Sequence, residues 1–370
     1  MKKFLFSVFT IALLATGCSS GDDAGEVTDS FNRKAMLENI ADNIIIPGYE
    51  NFKNDLTALK TATSEFVAVT NEVNLISLRE AWSTAHISWQ AVSVFEIGKA
   101  ESISFRNFMN VYPVNAANIE TNITSGSYDL ATISQQDEQG FGALDYLING
   151  VSDSDAVIVG VYTDATNGAK YKTYLTDLIN RMDDLTTQVV DDWKGTYRNN
   201  FVDNSGSSAT SSLDKLVNDF IFHYEKHLRA GKIGIPAGVF SGTPLDTKVE
   251  AFYKKDLSKT LFNANLDALQ DFFNGKHFGK TTSGESLSTY LKFLNTIKGG
   301  EDLSTLINNQ FSKARSTASA LNADLSAQVR SNNDLMLNTY DELQKNVVLL
   351  KVDMLQAISV KVDFVDADGD

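Results

Sequence analysis

Apolar residues recur at every third or fourth position along most of this chain, which is the spacing of one face of an amphipathic helix. Only 4 of the 370 residues are proline, so long segments lack the residue that most strongly breaks a helix. Strand-like alternation is nearly absent: the β-branched run at 156–162 is isolated, and residues 359–365 alternate weakly, as one short terminal strand could. The pattern predicts an all-α fold of packed helical bundles. The periodic segments are 75–96, 171–193, 213–228, 257–273, 287–297, 303–329 and 335–358.

The polar run at 203–212 (DNSGSSATSS) separates two groups of periodic segments and predicts the main break of the fold. We therefore predict an N-terminal helical bundle at 31–205 and a C-terminal helical bundle at 206–370 that ends in a short acidic tail. The segments ALDYLING (143–150) and ALQDFFNG (268–275) are similar, which indicates that the two halves could be a fold duplication. Asn-Gly is also a common end of a helix, so capping alone could produce the match.

The first residues have the pattern of a bacterial export signal. Lys2 and Lys3 precede an apolar run at 4–14 that is too short to span a bilayer, and the small residues ATG then lead to Cys18. Cys18 is the only cysteine of the chain, and its setting resembles a bacterial lipobox. We expect residues 1–17 to be a lipoprotein signal peptide and Cys18 to carry lipid, which makes the protein an outer-membrane lipoprotein of the cell envelope, periplasmic or surface-exposed. An ordinary secretory signal with an incidental cysteine is the alternative.

The chain carries a net charge of −15, and removal of residues 1–17 takes away two lysines and no acidic residue, which lowers the charge to −17. A surface of this sign repels nucleic acid and anionic lipid headgroups, so no nucleic-acid partner is expected. Contact with the membrane would come through the lipid on Cys18, with residues 18–30 as a flexible acidic tether.

Five segments, in a consistent order along the chain, resemble segments of the imelysin family of bacterial cell-envelope proteins. The resemblance implies an all-helical fold of two bundle-like halves with a site in the cleft between them. It also implies a signal-bearing envelope protein linked to iron acquisition, in a family named for a metallopeptidase activity. The segments are FEIGKAESISF (95–105), VYPVNAANIE (111–120), GFGALDYLING (140–150), GKIGIPAGVFSGTPLDTKVEAFY (231–253) and NLDALQDFFNG (265–275).

The segment GFGALDYLING departs from the family at the two positions that carry chemistry. The family segment that it resembles has the pattern G-x-H-x-x-E, whereas this chain has Gly142 in place of the histidine and Asp145 in place of the glutamate. A histidine and a carboxylate three residues apart share one helical face and can hold a metal, but glycine supplies no ligand. The sequence therefore predicts no catalytic residue and favours a protein that is not an enzyme. Gly142 also has a packing interpretation, since glycine lets another backbone come close.

A second candidate for metal chemistry is the segment DFIFHYEKH. It places Asp219, His223 and His227 at i, i+4 and i+8, on one face of a predicted helix. Histidine and carboxylate ligands suit zinc or iron, so these residues form a candidate site for one of these ions. The spacing is not that of H-E-x-x-H, and the alternative is a polar helix face on which Asp219 pairs with His223.

The resemblance also implies a set of ligand-binding residues around the cleft, each with a structural alternative. Trp89 lies in an apolar stripe, and Lys232 could complement a helix C-terminus. Tyr112 and Asn115 could instead build the turn around Pro113. The residues carried over are Trp89, Glu96, Tyr112, Asn115, Asp145, Lys232 and Glu250.

These observations favour a non-catalytic, lipid-anchored protein that binds a ligand or partner of iron or haem acquisition, such as outer-membrane iron-uptake components, in the cleft. A metallopeptidase with a relocated metal site at Asp219, His223 and His227 is one alternative. The other alternative is a structural or partner-binding lipoprotein, in which the surface matters more than the cleft.

Replacement Cys18→Ala should abolish lipidation, because the thiol is the group that would carry the acyl chain. Incorporation of labelled palmitate and the share of protein in the membrane fraction measure this, and both should fall to background. Ser20→Ala, two residues away in the same tether, is the matched control and should leave both unchanged. Labelling of Cys18→Ala at the wild-type level would contradict a lipid anchor at this residue.

Overall fold

Helices dominate the computed structural model of this protein, which describes residues 29–363. The predicted signal peptide, Cys18, most of the tether and the end of the acidic tail lie outside the described residues. The all-α fold predicted from the periodicity is confirmed.

Three long helices form the frame of the chain before residue 205. Helix α2 packs along both α3 and α9, and these helices are 23, 21 and 25 residues long. Phe52, Leu56, Leu59 and Phe66 recur at helical spacing on α2 and are buried in this contact. In chain order the helices are α1 (Arg33–Ile40), α2 (Ile46–Ala68), α3 (Glu72–Val92), α4 (Lys99–Ser102), α5 (Phe105–Met109), α6 (Ala116–Ser125), α7 (Gly140–Asp145), α8 (Asp155–Thr163), α9 (Gly168–Asp192) and α10 (Arg198–Asp203), with a 3₁₀-helix at Ile133–Glu138.

The rest of the chain forms a second group of helices in which α15 packs against α17. Two short strands, β1 (Ile297–Lys298) and β2 (Glu301–Asp302), pair antiparallel between α14 and α15. The helices are α11 (Ser212–Phe222), α12 (Ile235–Ala237), α13 (Ser258–Phe273), α14 (Leu287–Phe293), α15 (Leu303–Ala318), α16 (Leu325–Ser331), α17 (Asp334–Val347) and α18 (Leu355–Ala357), with a 3₁₀-helix at Asp246–Lys248.

Several helices continue into π-helical segments, in which each backbone N–H bonds to the carbonyl five residues earlier. The longest is the segment His223–Gly234, which follows α11 without interruption and leads into α12. We call it the central π-helix. Such segments often occur at functional sites, because the wider turn changes which side chains share a face. The others are Ala41–Ile45, Tyr146–Gly150, Trp193–Tyr197 and Val348–Met354.

One continuous hydrophobic core runs through the compact unit that begins at Phe31. Helix α3, from the first group, packs against α13, from the second, so the two predicted halves share this interior. Helix α10 ends at Asp203 and α11 begins at Ser212, which confirms the polar run between them as a break between helices. The division into two domains near residue 205 stays a prediction.

Two segments with strand-like sequences are not strands. The β-branched run at 156–162 lies in α8, where Ile158 and Tyr162 are buried four residues apart. One buried helical face therefore outweighs the weak intrinsic preference of valine and isoleucine for strands. Residues 359–363, the described part of the predicted terminal strand, form no strand either. Within residues 29–363, no helix has both the length and the apolar character that crossing a bilayer requires.

Gly140 starts α7 in a conformation that favours glycine. Its φ is +71°, and a Cβ atom at this position would lie 2.2 Å from the carbonyl oxygen of Met109. Gly140→Ala should therefore lower the free energy of unfolding by roughly 2 kcal/mol, measured by urea denaturation. The control is Gly160→Ala on the exposed side of α8, where a Cβ would have no atom of the described residues within 4 Å. That variant should be stabilised by up to about 1 kcal/mol, and equal effects of the two substitutions would contradict the packing at Gly140.

Candidate functional site

Glu250 accepts hydrogen bonds from four side chains in the interior of the protein. Its Oε1 lies 2.6 Å from Nδ2 of Asn110, 3.1 Å from Nε2 of Gln90 and 3.2 Å from Nε2 of His86. Its Oε2 pairs with the ammonium group of Lys232. We call these five residues the Glu250 cluster. Because three of them precede residue 205 and two follow it, the cluster joins the two parts of the chain.

The charges of the Glu250 cluster depend on one another. Burial acts to raise the pKa of Glu250, but the positive charge of Lys232 and the hydrogen bond from His86 outweigh it and hold this pKa well below its usual range. Burial lowers the pKa of Lys232, and the nearby carboxylate opposes this. Burial also lowers the pKa of His86, whose ring stacks on Phe141 at 4.4 Å. Nδ1 of His86 is buried and has no hydrogen-bond partner among residues 29–363, which fits a neutral ring that donates from Nε2.

Arg106 and Asp219 make a second polar link between the two parts of the chain. Nη2 of Arg106 donates to Oδ1 of Asp219 at 3.0 Å, and the backbone N–H of Glu96 donates to Oδ2 at 2.6 Å. The carboxylate of Glu96 accepts the backbone N–H of Arg106 at 3.0 Å. Burial raises the pKa of Glu96 to about 7 and also raises the pKa of Asp219.

The three residues of the predicted metal site do not act as one group. His223 and His227 lie together on the central π-helix, with ring centroids 5.1 Å apart. However, Nε2 of His223 lies 3.1 Å from Oδ1 of Asn265, and Asp219 pairs with Arg106 rather than with His223. Across residues 29–363, no three His, Cys, Asp or Glu side chains are placed so that they could hold a metal ion. Metal binding by Asp219, His223 and His227 stays a prediction that would require these contacts to change.

A small cavity lies beside Arg106 and three members of the Glu250 cluster, Gln90, Asn110 and Lys232. Its volume is about 20 Å³, which is room for one water molecule. Within the described part of the chain, Oδ1 of Asn110 and Nδ1 of His223 are buried without a hydrogen-bond partner, so polar groups are available to a water there. Burial lowers the pKa of both His223 and His227, which keeps these rings neutral. The lining includes Arg106, Asn110, Tyr112, His223, His227 and Lys232.

Gly142 allows the loop after α5 to approach α7 closely. A Cβ atom on Gly142 would lie 2.6 Å from Cγ1 of Val114 and 2.7 Å from the carbonyl oxygen of Val111. The space that a side chain would use is therefore occupied by this loop, which confirms the packing interpretation of the glycine.

Asp145 bonds to a different part of the chain. Its Oδ2 accepts the backbone N–H of Tyr253 at 2.9 Å, and its Oδ1 accepts Nδ2 of Asn149 at 3.0 Å. Burial raises the pKa of Asp145 to about 7, although both hydrogen bonds and nearby Lys254 oppose the shift. The carboxyl group thus holds the segment after Glu250 against the end of α7.

A surface pocket of about 230 Å³, which we call the motif cleft, opens beside Gly142 and Asp145. Aromatic and apolar side chains form most of its wall, and the Asp145 carboxyl group is its acidic member. The exposed Thr247 lies at the edge of the pocket. The lining includes Tyr112, Val114, Gly142, Asp145, Thr247 and Tyr253.

The predicted ligand-binding residues lie in several places. Tyr112 and Asp145 line the motif cleft, while Lys232 and Glu250 pair behind it in the interior. Glu96 lies beside both Asp219 and Arg106: its backbone N–H donates to Asp219, and its carboxylate accepts the backbone N–H of Arg106. The other two have structural roles: Trp89 packs on Phe52 and Phe105, and the Asn115 side chain caps α6 by accepting the N–H of Asn118. The resemblance did not supply His86, Gln90, Arg106, Asn110 and Asn265, which are polar residues buried beside these positions.

The raised pKa of Asp145 predicts a pH-dependent effect of Asp145→Asn. An unfolded aspartate titrates near pH ~3.9, whereas Asp145 in the folded protein has a pKa of about 7. Between these values the folded state retains a proton that the unfolded state has lost, so the free energy of unfolding falls as pH rises. Asparagine does not titrate. The stability of the variant relative to wild type should therefore increase from about pH 4 to about pH 7 and level off above that, measured by urea denaturation.

Asp184→Asn, at an exposed position of α9, is the control for the loss of one negative charge. A difference between Asp145→Asn and wild type that does not change with pH would contradict the titration of Asp145 in this range.

Two solved structures have the same fold as this chain. An imelysin-like protein from Psychrobacter arcticum has a TM-score of 0.66 at 15% identity, with 90% of this chain and 97% of that chain covered. A Parabacteroides distasonis protein described as an iron-regulated protein A precursor has a TM-score of 0.70 at 16% identity, with the same coverage. At these identities the similarity concerns the fold.

Sequence comparison gives the family. A Synechococcus elongatus protein named iron-regulated protein A is 23% identical over 111 residues, which are 30% of this chain and 31% of that protein. The match therefore spans about a third of that relative. The sequence profile of the Imelysin family matches residues 45–350, far more than half of the chain. This protein belongs to the imelysin family.

Proposed function

We propose that this protein is a non-catalytic, lipid-anchored imelysin-type protein that binds a ligand or partner of iron acquisition in the motif cleft. The observation that carries the proposal is the close packing at Gly142. The position where the family motif has its histidine is occupied by the loop at Val111–Val114, while the cleft beside it stays open.

The surroundings of Gly142 and Asp145, the two motif positions, support a non-catalytic role. A histidine at residue 142 would collide with the Val111 carbonyl and the Val114 side chain unless the loop moved. The Asp145 oxygens accept hydrogen bonds from the Tyr253 N–H and the Asn149 amide. Metal-assisted hydrolysis needs at least two or three protein ligands together with an open coordination position. Gly142 and Asp145 do not supply this set.

Binding in the motif cleft is supported by its shape and chemistry. Aromatic and apolar walls with a few polar groups are typical of ligand sites. At about 230 Å³ the cleft is smaller than most pockets for drug-sized molecules, which have about 300–1,000 Å³. A small molecule or one side chain of a partner protein would fit, and outer-membrane iron-uptake components are the partners we favour.

The link to iron comes from the family and from the names of two relatives, so it is an argument by analogy. The position at the outer membrane rests on the lipobox at Cys18. The relocated metallopeptidase is less favoured, because Asp219 would have to leave Arg106 and His223 would have to leave Asn265 before either could bind a metal.

A large side chain in the motif cleft should prevent ligand binding there without changing the packing of the protein interior. Thr247 is exposed at its edge, so Thr247→Trp should obstruct the cleft while the fold is kept. In a source strain that lacks the gene, wild-type protein should restore growth in chelator-limited medium, and Thr247→Trp should leave growth at the level of the deletion. Thr61→Trp, the same substitution at an exposed position of α2, is the control and should restore growth.

Full restoration by Thr247→Trp would overturn the cleft as the functional site. Equal growth of the deletion and wild-type strains would overturn the role in iron acquisition. Chelator-sensitive casein cleavage that is lost in His223→Ala would favour the peptidase instead.

A further inference from the structure

Two tyrosine hydroxyl groups meet on one carboxylate at Glu120. Oη of Tyr146 donates to Oε1 of Glu120 at 2.7 Å, and Oη of Tyr171 donates to Oε2 of the same group. The three residues come from α6, from the π-helical segment after α7, and from α9. Three oxygen-bearing side chains from three separate elements are therefore gathered at one point.

The negative charge of Glu120 has no cationic partner among residues 29–363. Glu120 differs in this respect from two carboxylates of the candidate site, because Glu250 pairs with Lys232 and Asp219 with Arg106. Glu120 is partly buried, and a carboxylate in such a position gains from a positive charge close by. A bound cation would supply that charge.

We propose that Glu120, Tyr146 and Tyr171 form a site for ferric iron. Fe³⁺ is a hard cation, and hard cations favour anionic oxygen ligands over nitrogen and sulfur. One carboxylate and two phenolates carry three negative charges, which match the charge of the ion. Glu120 and Tyr146 are only partly buried, so water or a small anion can reach the remaining coordination positions. The choice of iron rests on the proposed role in iron acquisition, whereas the ligand set rests on the geometry.

Binding is an exchange of protons for the metal. Each phenolic O–H bond breaks, the two protons go to solvent, and two iron–oxygen bonds form together with one to the carboxylate, without any change of oxidation state. The affinity for Fe³⁺ should therefore rise with pH, with two protons released per ion. Zn²⁺ is a weaker Lewis acid than Fe³⁺ and displaces phenolic protons less readily.

Neighbouring aromatic rings hold the two tyrosines in place. Tyr162 contacts the ring of Tyr171 at 5.6 Å, and its own hydroxyl group donates to the carbonyl of Leu147 at 3.1 Å. The ring of Tyr146 packs on Tyr253 at 5.3 Å. Such contacts restrict where the phenolic oxygens can lie, which favours a preformed ligand set. Because Tyr253 also lines the motif cleft, the proposed iron site adjoins it.

The test is a titration of the purified full chain with ferric nitrilotriacetate. Phenolate bound to Fe³⁺ gives a visible charge-transfer band, which a purely structural hydrogen bond would not produce. Wild type should develop this band and saturate at one ion per chain. Tyr146→Phe and Tyr171→Phe keep the ring but lose the ligand oxygen, and each should weaken binding by at least about tenfold. Zn²⁺ should produce neither the band nor the release of two protons.

Tyr128→Phe is the matched control, because Tyr128 donates to a single carboxylate, that of Asp177, at 2.6 Å. It should bind iron as wild type does. Glu120→Gln provides a second variant if a tyrosine variant fails to fold, and circular dichroism checks the fold of each protein. Absence of the band in wild type, or its persistence in the Tyr146→Phe/Tyr171→Phe double variant, would overturn the site.

The iron site and the proposed function can fail separately. Thr247→Trp should keep the charge-transfer band while losing growth under iron limitation. If wild type showed no charge-transfer band but Thr247→Trp still failed to restore growth, the ferric site would be contradicted. The proposed function of the cleft would then remain supported.

Discussion

The pair formed by Glu250 and Lys232 is the interaction on which the arrangement of the site depends. Both charges are buried, and removing two such charges from water costs several kcal/mol per ion. The hydrogen bonds from Asn110, Gln90 and His86 offset this cost, because they satisfy the carboxylate oxygen that Lys232 does not contact. Loss of one partner would leave the other charge unpaired, at about 3–5 kcal/mol. Together with these three donors, the pair fixes α3, the loop after α5, the central π-helix and the segment after Asp246–Lys248 in one relative position.

The central π-helix explains why Lys232 can reach Glu250 beside two histidines. His227 and Lys232 are five residues apart, which is slightly more than one turn of a π-helix, so both side chains border the same small cavity. His223 and Lys232 are nine residues apart, which is two and a half turns of an α-helix and would place them on opposite faces. In the wider π-helix nine residues make about two turns, so His223 borders the cavity as well. The local change of helix type thus creates the polar interior.

The sequence predicted the fold class because the helical spacing of apolar residues follows directly from burial of one helix face. It also predicted the break before Ser212 and the packing role of Gly142. It did not predict the π-helical segments, since a period of 3.6 was assumed throughout, and it did not predict the pairing of Asp219 with Arg106. Lys232 and Glu250 were named from the family resemblance, but His86, Gln90 and Asn110 follow no local pattern. These three side chains reach Glu250 only because α3 and the loop after α5 pack against a segment more than 100 residues later in the chain.

One short segment, residues 249–253, separates the motif cleft from the buried Glu250 cluster. Glu250 points inward to Lys232, whereas its neighbours Val249 and Ala251 line the cleft. The backbone at Ala251 has a φ of +54°, and two residues later the Tyr253 N–H is held by Asp145. A ligand that displaced this segment would have to break the Asp145 hydrogen bond or pull Glu250 from its donors. Because the second change leaves buried charges unpaired, the segment should stay in place, and any ligand of the cleft would meet a preformed site. The packing at Gly142 fits this arrangement, since the loop that lies against it also forms one wall of the cleft.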